Sequence, residues 1–456
     1  MPSAGAPASV EPRRASAVGR QFSGTFGTNV AIAALGFVTG SISARVLGPS
    51  GRGELAAIQT IPGLLGWVAV LGVPNAVAYY VARTPDQRRD VFSTGLALSA
   101  ALSALGVLAG VLLVPWILGS QTAATRASAR LYLVLIPLLA LQHPAVMGLW
   151  AMQRFRVWNA LRIAPSLCWL AALLVVVGRG APTAAAAALL YASLTALLVP
   201  LAAAAFLAAT RGSLRFRWSI GRRLLAYGVP TALANVPSTL NYRLDQALMA
   251  AMLPASTLGL YAVSVSWSGA LAPLTSAFAS VLFPRLAAGG GKAAADDLGK
   301  GLRLTVLVAA LGTCGVALLT PLAMPLLFGA PFRAATPAAL VLVVAAAFAA
   351  LNGDLEESLR GLGGTRWPLL GQLAGLPVTV SLLAFLLRPL GLYGAAIASL
   401  FAYLTTSCVL VAGASRMTGR SPRTLLVPTR EEVRRISASL RGAADFLRPT
   451  ARGRGE

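Results

Sequence analysis

Five polar side chains recur at helical spacing between residues 231 and 245: Thr231, Asn235, Ser238, Tyr242 and Asp245. Steps of four, three, four and three residues place them on one face of a helix. The run around them is apolar enough to enter a bilayer. Lipid would reject such a face, so it must look onto a cavity or another helix. Arg243 lies in the same run. A charge near the bilayer centre costs on the order of 3 kcal/mol and needs a partner or water. Residues two apart point in different directions on a helix, so Arg243 and Asp245 do not form a local ion pair. These residue types suit recognition more than covalent chemistry. Arg243 can meet an anionic group, Asp245 can orient it or titrate with it, and Asn235, Ser238 and Tyr242 offer hydrogen bonds. The bland alternative stays open, because polar and small residues also mark helix-packing faces and charged ones act as interfacial anchors.

A second helical face, Thr25, Asn29, Ile32, Gly36, Thr39 and Ser43, is likewise polar or small. Two such helices are what one central cavity needs, and Thr25 and Asn29 join the candidate binding residues. His143, between Gln142 and Pro144, and Asp354, in Asn352-Gly353-Asp354, put titratable groups beside helix irregularities. They are the candidates for proton coupling, since an imidazole changes charge near neutral pH; helix packing would equally satisfy a lone histidine. With 1 His and 3 Cys far apart, no metal site is expected. Neither a phosphate-binding glycine loop nor a nucleophile–His–acid set stands out, so no cofactor and no catalytic residue are expected.

The elements that must position these residues are membrane helices. Apolar residues make up 57% of the 456 and charged ones 11%, against roughly 45–50% and 25% in soluble chains. Twelve runs are long enough to span a bilayer: 25–46, 58–82, 91–118, 130–152, 157–177 and 184–209, then 224–250, 258–283, 302–328, 334–356, 367–387 and 391–415. Cys168, Cys314 and Cys408 fall inside such runs and read as small buried hydrophobes. Of the 38 basic residues, 30 fall on one side of this topology and 7 on the other, with Arg243 inside a span. Basic loops stay in the cytoplasm. Both termini are therefore expected there, in an inner (plasma) membrane. The net charge of +24 is spread over loops and tails and forms no patch for nucleic acid.

The chain also repeats itself. A shift of 206 residues brings Thr25 onto Thr231 and Asn29-Val30 onto Asn235-Val236. The same shift brings Leu47-Gly48-Pro49-Ser50 onto Leu253-Pro254-Ala255-Ser256, and Gly53 onto Gly259. Shifts of 210 and 211 relate later spans. Six spans per repeat give both halves one orientation. The expected fold is an all-α polytopic membrane protein, with about twelve transmembrane helices in two six-helix pseudo-symmetric bundles around a central cavity. The expected divisions are a tail at 1–22, bundles at 23–210 and 224–415, a linker at 211–223 and a basic tail at 416–456. In that tail Thr429 and Glu432 make a capping box ahead of an apolar stripe.

Several local motifs carry a resemblance over roughly residues 20–415. They are Ala44-Arg45-Val46-Leu47-Gly48-Pro49 with Gly53, Arg243-Leu244-Asp245 leading to Leu258-Gly259-Leu260-Tyr261-Ala262, Phe283-Pro284-Arg285, and Gly391-Leu392-Tyr393-Gly394-Ala395-Ala396. In their order the chain resembles the multidrug/oligosaccharidyl-lipid/polysaccharide exporter superfamily, especially its polysaccharide-flippase branch. The resemblance implies two six-helix bundles around a V-shaped cavity and alternating access. It implies an undecaprenyl-pyrophosphate-linked oligosaccharide as cargo for cell-surface polysaccharide such as O-antigen or exopolysaccharide, with Arg243 as the cationic lining group. Polysaccharide polymerase and glycosyltransferases would be partners. Twelve spans depart from the fourteen usual in lipid II flippases. A first span without a carboxylate departs from cation-coupled drug exporters, which remain the alternative as small-molecule antiporters. A membrane-embedded glycosyltransferase fits poorly, because the outer loops are short and hold essentially one carboxylate, Glu54.

Overall fold

Backbone polar groups in hydrocarbon must be satisfied within the segment, which leaves helices as the solution for apolar runs of this length. The computed structural model describes residues 12–180, 182–271 and 291–434, and among them it contains helices and no strand. The first half comprises α1 (Pro12–Val68), α2 (Val73–Arg83), α3 (Arg88–Ile117), α4 (Ala123–Tyr132), α5 (Leu135–Ala151), α6 (Phe155–Gly178) and α7 (Ala184–Ala208). The second comprises α8 (Trp218–Met252), α9 (Ala255–Ser268), α10 (Gly291–Ala323), α11 (Thr336–Gly361), α12 (Arg366–Leu390) and α13 (Leu392–Thr418), followed by the short α14 (Pro422–Leu426). The helices form two bundles with a cavity between them.

Three expected spans differ in outline. The first two run together in α1, 57 residues long, which turns back at Gly48 (φ 65°). Only glycine takes that backbone without penalty. The helix resumes at Pro49, so Arg52 lies in a helix and not in a loop. The second span then breaks at residues 69–72, where Leu71 (φ 44°) and Gly72 (φ 67°) leave the helical region ahead of Val73-Pro74. Proline supplies no N–H and disfavours helix at the residue before it. The run 130–152 is likewise divided into α4 and α5 at Leu133 and Val134. The eighth expected span, 258–283, continues beyond residue 271 outside the described residues.

Nine helical segments among the described residues are long and apolar enough to cross a membrane. The 35-residue α8 is not one of them. The row of polar and charged side chains between Thr231 and Gln246 dilutes its apolar character. The cysteines overturn the expectation of burial: Cys314 and Cys408 are exposed on the bundle surface and Cys168 is half-buried. Where lipid is the solvent, an apolar run says nothing about which of its faces meets protein.

The two bundles meet most closely at the arginine-poor end. There Leu55, Ile58 and Ile61 of α1 join Met249 of α8 and Leu258 and Tyr261 of α9 in one buried cluster. Phe37 packs against Trp267 and Phe328, with ring centroids 6.0 and 6.1 Å away. The Arg45 guanidinium donates to the Leu326 and Leu327 carbonyls in the π-helical turn that ends α10. Ser120 and Gln121 donate to the Ala250 and Leu253 carbonyls at the end of α8. Each of these bonds satisfies carbonyls that a helix end leaves open. At the arginine-rich end, α8 leans on the first bundle: Tyr227 stacks on Tyr79 at 4.6 Å, and Arg217 pairs with Asp90 at 2.8 Å.

Candidate functional site

Three adjoining cavities, which share lining residues, follow α8 through the middle of the molecule. The largest, about 540 Å³, is walled by Thr39 and Gln59 of α1, Tyr132, His143, Trp169 and Tyr191, and by Thr239, Tyr242 and Arg243 of α8. His143 and Thr239 also face a cavity of about 350 Å³ that holds Asn235 and Ser238. Gln59 and Arg243 also face a smaller one of about 160 Å³ that holds Arg52, Thr60, Gln246 and Ser266. Asn235, Ser238, Tyr242 and Arg243 therefore line these cavities. These four residues, on and beside the polar face of α8, look into largely neutral spaces with two arginines at one end.

Arg243 is exposed to this space, and no salt bridge among the described residues involves it. The Arg52 Nε is buried without a hydrogen-bond partner among those residues. Two guanidinium groups in one small cavity repel each other in low dielectric, and an anion bridging them would relieve both. Arg52 is the functional candidate that reading the sequence missed. Between the expected spans 25–46 and 58–82 it reads as a loop residue, because residue types do not reveal the turn at Gly48.

Asp245 goes elsewhere. It points into a separate cavity of about 520 Å³ inside the second bundle, with Tyr261, Asp354, Glu356, Glu357, Ser399 and Tyr403. Its carboxylate accepts hydrogen bonds from the Tyr261 hydroxyl at 2.5 Å and the Gln246 amide at 2.7 Å. Ser399 is 3.3 Å from the same hydroxyl. Tyr242, 43% exposed and 5.4 Å from Tyr403, is the wall between this acidic cavity and the central one. Arg243 and Asp245 thus line different cavities.

Asp354 accepts from Thr305 at 2.6 Å. Glu356 accepts from Gln372 at 2.7 Å and from Arg360, which also meets Glu357. The His143 Nδ1–H donates to the Leu139 carbonyl one turn earlier at 2.6 Å, which leaves the ring at the boundary of two cavities. His143 and Asp354 therefore lie in different cavities.

Thr25 and Asn29 are not part of the three cavities; they are engaged sideways by α6. Asn159 donates to Thr25 at 3.3 Å, and Arg162, stacked over Trp158, donates to Asn29 at 2.8 Å. On α1 it is Gly36 and Thr39, further along the same face, that reach the central cavity. The described residues contain no group of three or more His, Cys, Asp or Glu able to hold a metal ion.

A family model described as polysaccharide biosynthesis protein matches residues 18–289. No curated protein matches the chain. Among solved structures, the fold is similar to that of the lipid II flippase MurJ in an inward closed conformation. That match has a TM-score of 0.75 and 12% identity over 94% of this chain and 93% of the other. It is also similar to an inward-facing multidrug resistance MATE family transporter of the MOP superfamily, with TM-score 0.62 and 15% identity over 87% and 94%. A third is the eukaryotic MATE transporter AtDTX14, with TM-score 0.58 and 16% identity over 88% and 98%.

Proposed function

This chain belongs to the polysaccharide biosynthesis protein family, and on that premise we propose that it is a flippase for undecaprenyl-pyrophosphate-linked oligosaccharide. It carries this cargo across the inner membrane by alternating access, for cell-surface polysaccharide. The observation that carries the reading is the pair Arg243 and Arg52, which share one cavity at the end of a polar, aromatic-walled passage. A pyrophosphate needs bidentate cationic donors in a site poor in water. A sugar needs hydroxyl-compatible groups and aromatic faces; Thr39, Gln59, Thr239, Tyr132, Trp169, Tyr191 and Tyr242 provide both. The lipid tail stays in the bilayer. Asn235 and Ser238 line the path toward the arginine-rich end, which by the distribution of basic residues faces the cytoplasm together with both termini. Glycosyltransferases that build the cargo and a polymerase that consumes it are the partners this role requires.

His143 is the candidate for proton coupling on the central pathway, and Asp354 with Asp245 in the acidic cavity. Buried carboxylates exchange a proton or take up a cation when the surrounding helices move.

A second reading, cation-coupled export of a small molecule or drug, is favoured by one observation. The acidic cavity, at about 520 Å³, is comparable in size to the central one and is lined by Asp245, Asp354, Glu356 and Glu357. A deletion strain separates the two. Undecaprenyl-linked oligosaccharide is expected to build up on the cytoplasmic leaflet and to be cleared by wild type but not by Arg243→Ala. Absence of build-up with normal surface polysaccharide, together with drug sensitivity, would transfer the assignment to the antiporter.

A further inference from the structure

The closest approach of the two bundles is made by backbone alone. A Cβ built on Gly53 would overlap the carbonyl of Ala255 at the start of α9, and one built on Gly259 would overlap the carbonyl of Pro49. The 206-residue shift that relates the two halves carries Pro49 onto Ala255 and Gly53 onto Gly259. Each half therefore offers the same pair, a carbonyl at one position and a glycine four residues on, and each glycine receives the other half's carbonyl. This is the self-complementary contact of a two-fold dimer, written inside one chain by its duplication.

The position of this junction gives it a task. The cavity that holds Arg52 and Arg243 takes its walls from the residues just past the two glycines: Ala56 and Thr60 on one side, Ala262 and Ser266 on the other. The same seam carries the Arg45, Ser120 and Gln121 bonds to carbonyls of the second half. We propose that Gly53 and Gly259 form the outer gate of the pathway, a backbone-to-backbone seal that covers the arginine cavity and must part for it to open outward. The inference does not depend on the cargo. Between the two glycines themselves there are no side chains to withdraw, only short-range backbone contacts and weak Cα–H···O interactions; opening must also break the neighbouring Arg45, Ser120 and Gln121 bonds and separate the apolar side chains clustered beside them. A methyl group on either glycine prevents closure, because the neighbour it meets is backbone and cannot turn aside.

The gate is tested with a single reporter in a chain whose Cys168, Cys314 and Cys408 are replaced by Ala. Ser266→Cys places a thiol in the arginine cavity, and a membrane-impermeant maleimide is added outside intact cells. Labelling is expected to be slow with both glycines present and to rise on the order of tenfold in either Gly53→Ala or Gly259→Ala. The double substitution should add no more than about twofold, since both methyls wedge the same seam. In parallel, Asn75→Cys, which lines the cavity near the other end, is labelled in inside-out vesicles. Its labelling should fall as that of Ser266→Cys rises, because a gate transfers access from one face to the other. Unchanged Ser266→Cys labelling in both variants, a response to only one glycine, or a rise at both reporters would each overturn the proposal.

Discussion

Replacing Tyr261 by Phe removes one hydroxyl and almost no volume from a fully buried site. That hydroxyl is the donor to Asp245 at 2.5 Å, and Asp245 is only 5% exposed. The carboxylate would keep the Gln246 amide. A hydrogen bond to an ionised group contributes roughly 1.5–3 kcal/mol, and leaving a buried acceptor short costs at the upper part of that range. A loss of about 2 kcal/mol is expected, or about 2–4 °C in the unfolding midpoint of a chain this long. Asp245→Asn should cost less than about 1 kcal/mol, because the amide oxygen still accepts from Tyr261 and no charge has to be stabilised. In the Asp245→Asn background, Tyr261→Phe should then cost only about half as much. The four proteins of this cycle are compared by thermal unfolding in one detergent at one heating rate. If Tyr261→Phe matches wild type within about 0.5 kcal/mol, or costs the same with Asn at 245, the carboxylate does not depend on that hydroxyl and the reasoning fails.

Gly148→Ala would push a methyl group into the Phe206 ring, which is itself stacked on Phe92 at 4.5 Å. Overpacking of this kind costs about 1–3 kcal/mol, and an unchanged unfolding midpoint would show that the α5–α7 contact is looser than described. In the tail, Arg303 grips Glu432 through bonds of 2.9–3.1 Å while the Thr429 amide adds another at 2.8 Å. Arg303 first, then Thr429, holds the Glu432 carboxyl down at about 2. A depressed acid stabilises the docked tail above its free value of roughly 4.3, and that contribution disappears as pH falls from there through about 2. Protease cleavage between 421 and 434 should rise over that window in wild type. Glu432→Gln should already be cleaved at neutral pH and show a flat profile; a wild-type profile in the variant would contradict the latch.

Much of this architecture can be read from residue types, and the exceptions have physical causes. The polar period along α8 was legible because a 3.6-residue repeat survives whatever the helix packs against. Which cavity each residue entered was not, since Arg243 and Asp245, two positions apart, diverge into separate cavities. Thr25 and Asn29 belong to a real polar face, but Asn159 and Arg162 of α6 occupy it, and no local pattern announces a partner more than 130 residues away. The capping box at Thr429 and Glu432 forms as its spacing implies. Its grip on Arg303 is tertiary and could not be foreseen. The apolar stripe that follows lies beyond residue 434, outside the described residues. The breaks at Gly48 and at Leu71-Gly72 are set by one and by two positive-φ residues, and hydropathy averaged over a span passes straight across them.

Among the described residues the side-chain bonds across the seam run one way. Arg45, Ser120 and Gln121 donate from the first bundle, and the carbonyls at 250, 253, 326 and 327 accept in the second. A ribosome delivers the donors first. The first bundle enters the membrane with these groups already displayed and waits with them unmatched; the second arrives and ends two of its helices against them. The seam is therefore a docking template for biogenesis, and an order of synthesis is inscribed in it. Halves expressed from separate genes should still assemble, since the template survives cutting the linker, whereas a chain permuted to begin at α8 would present bare carbonyls to lipid until their donors were made.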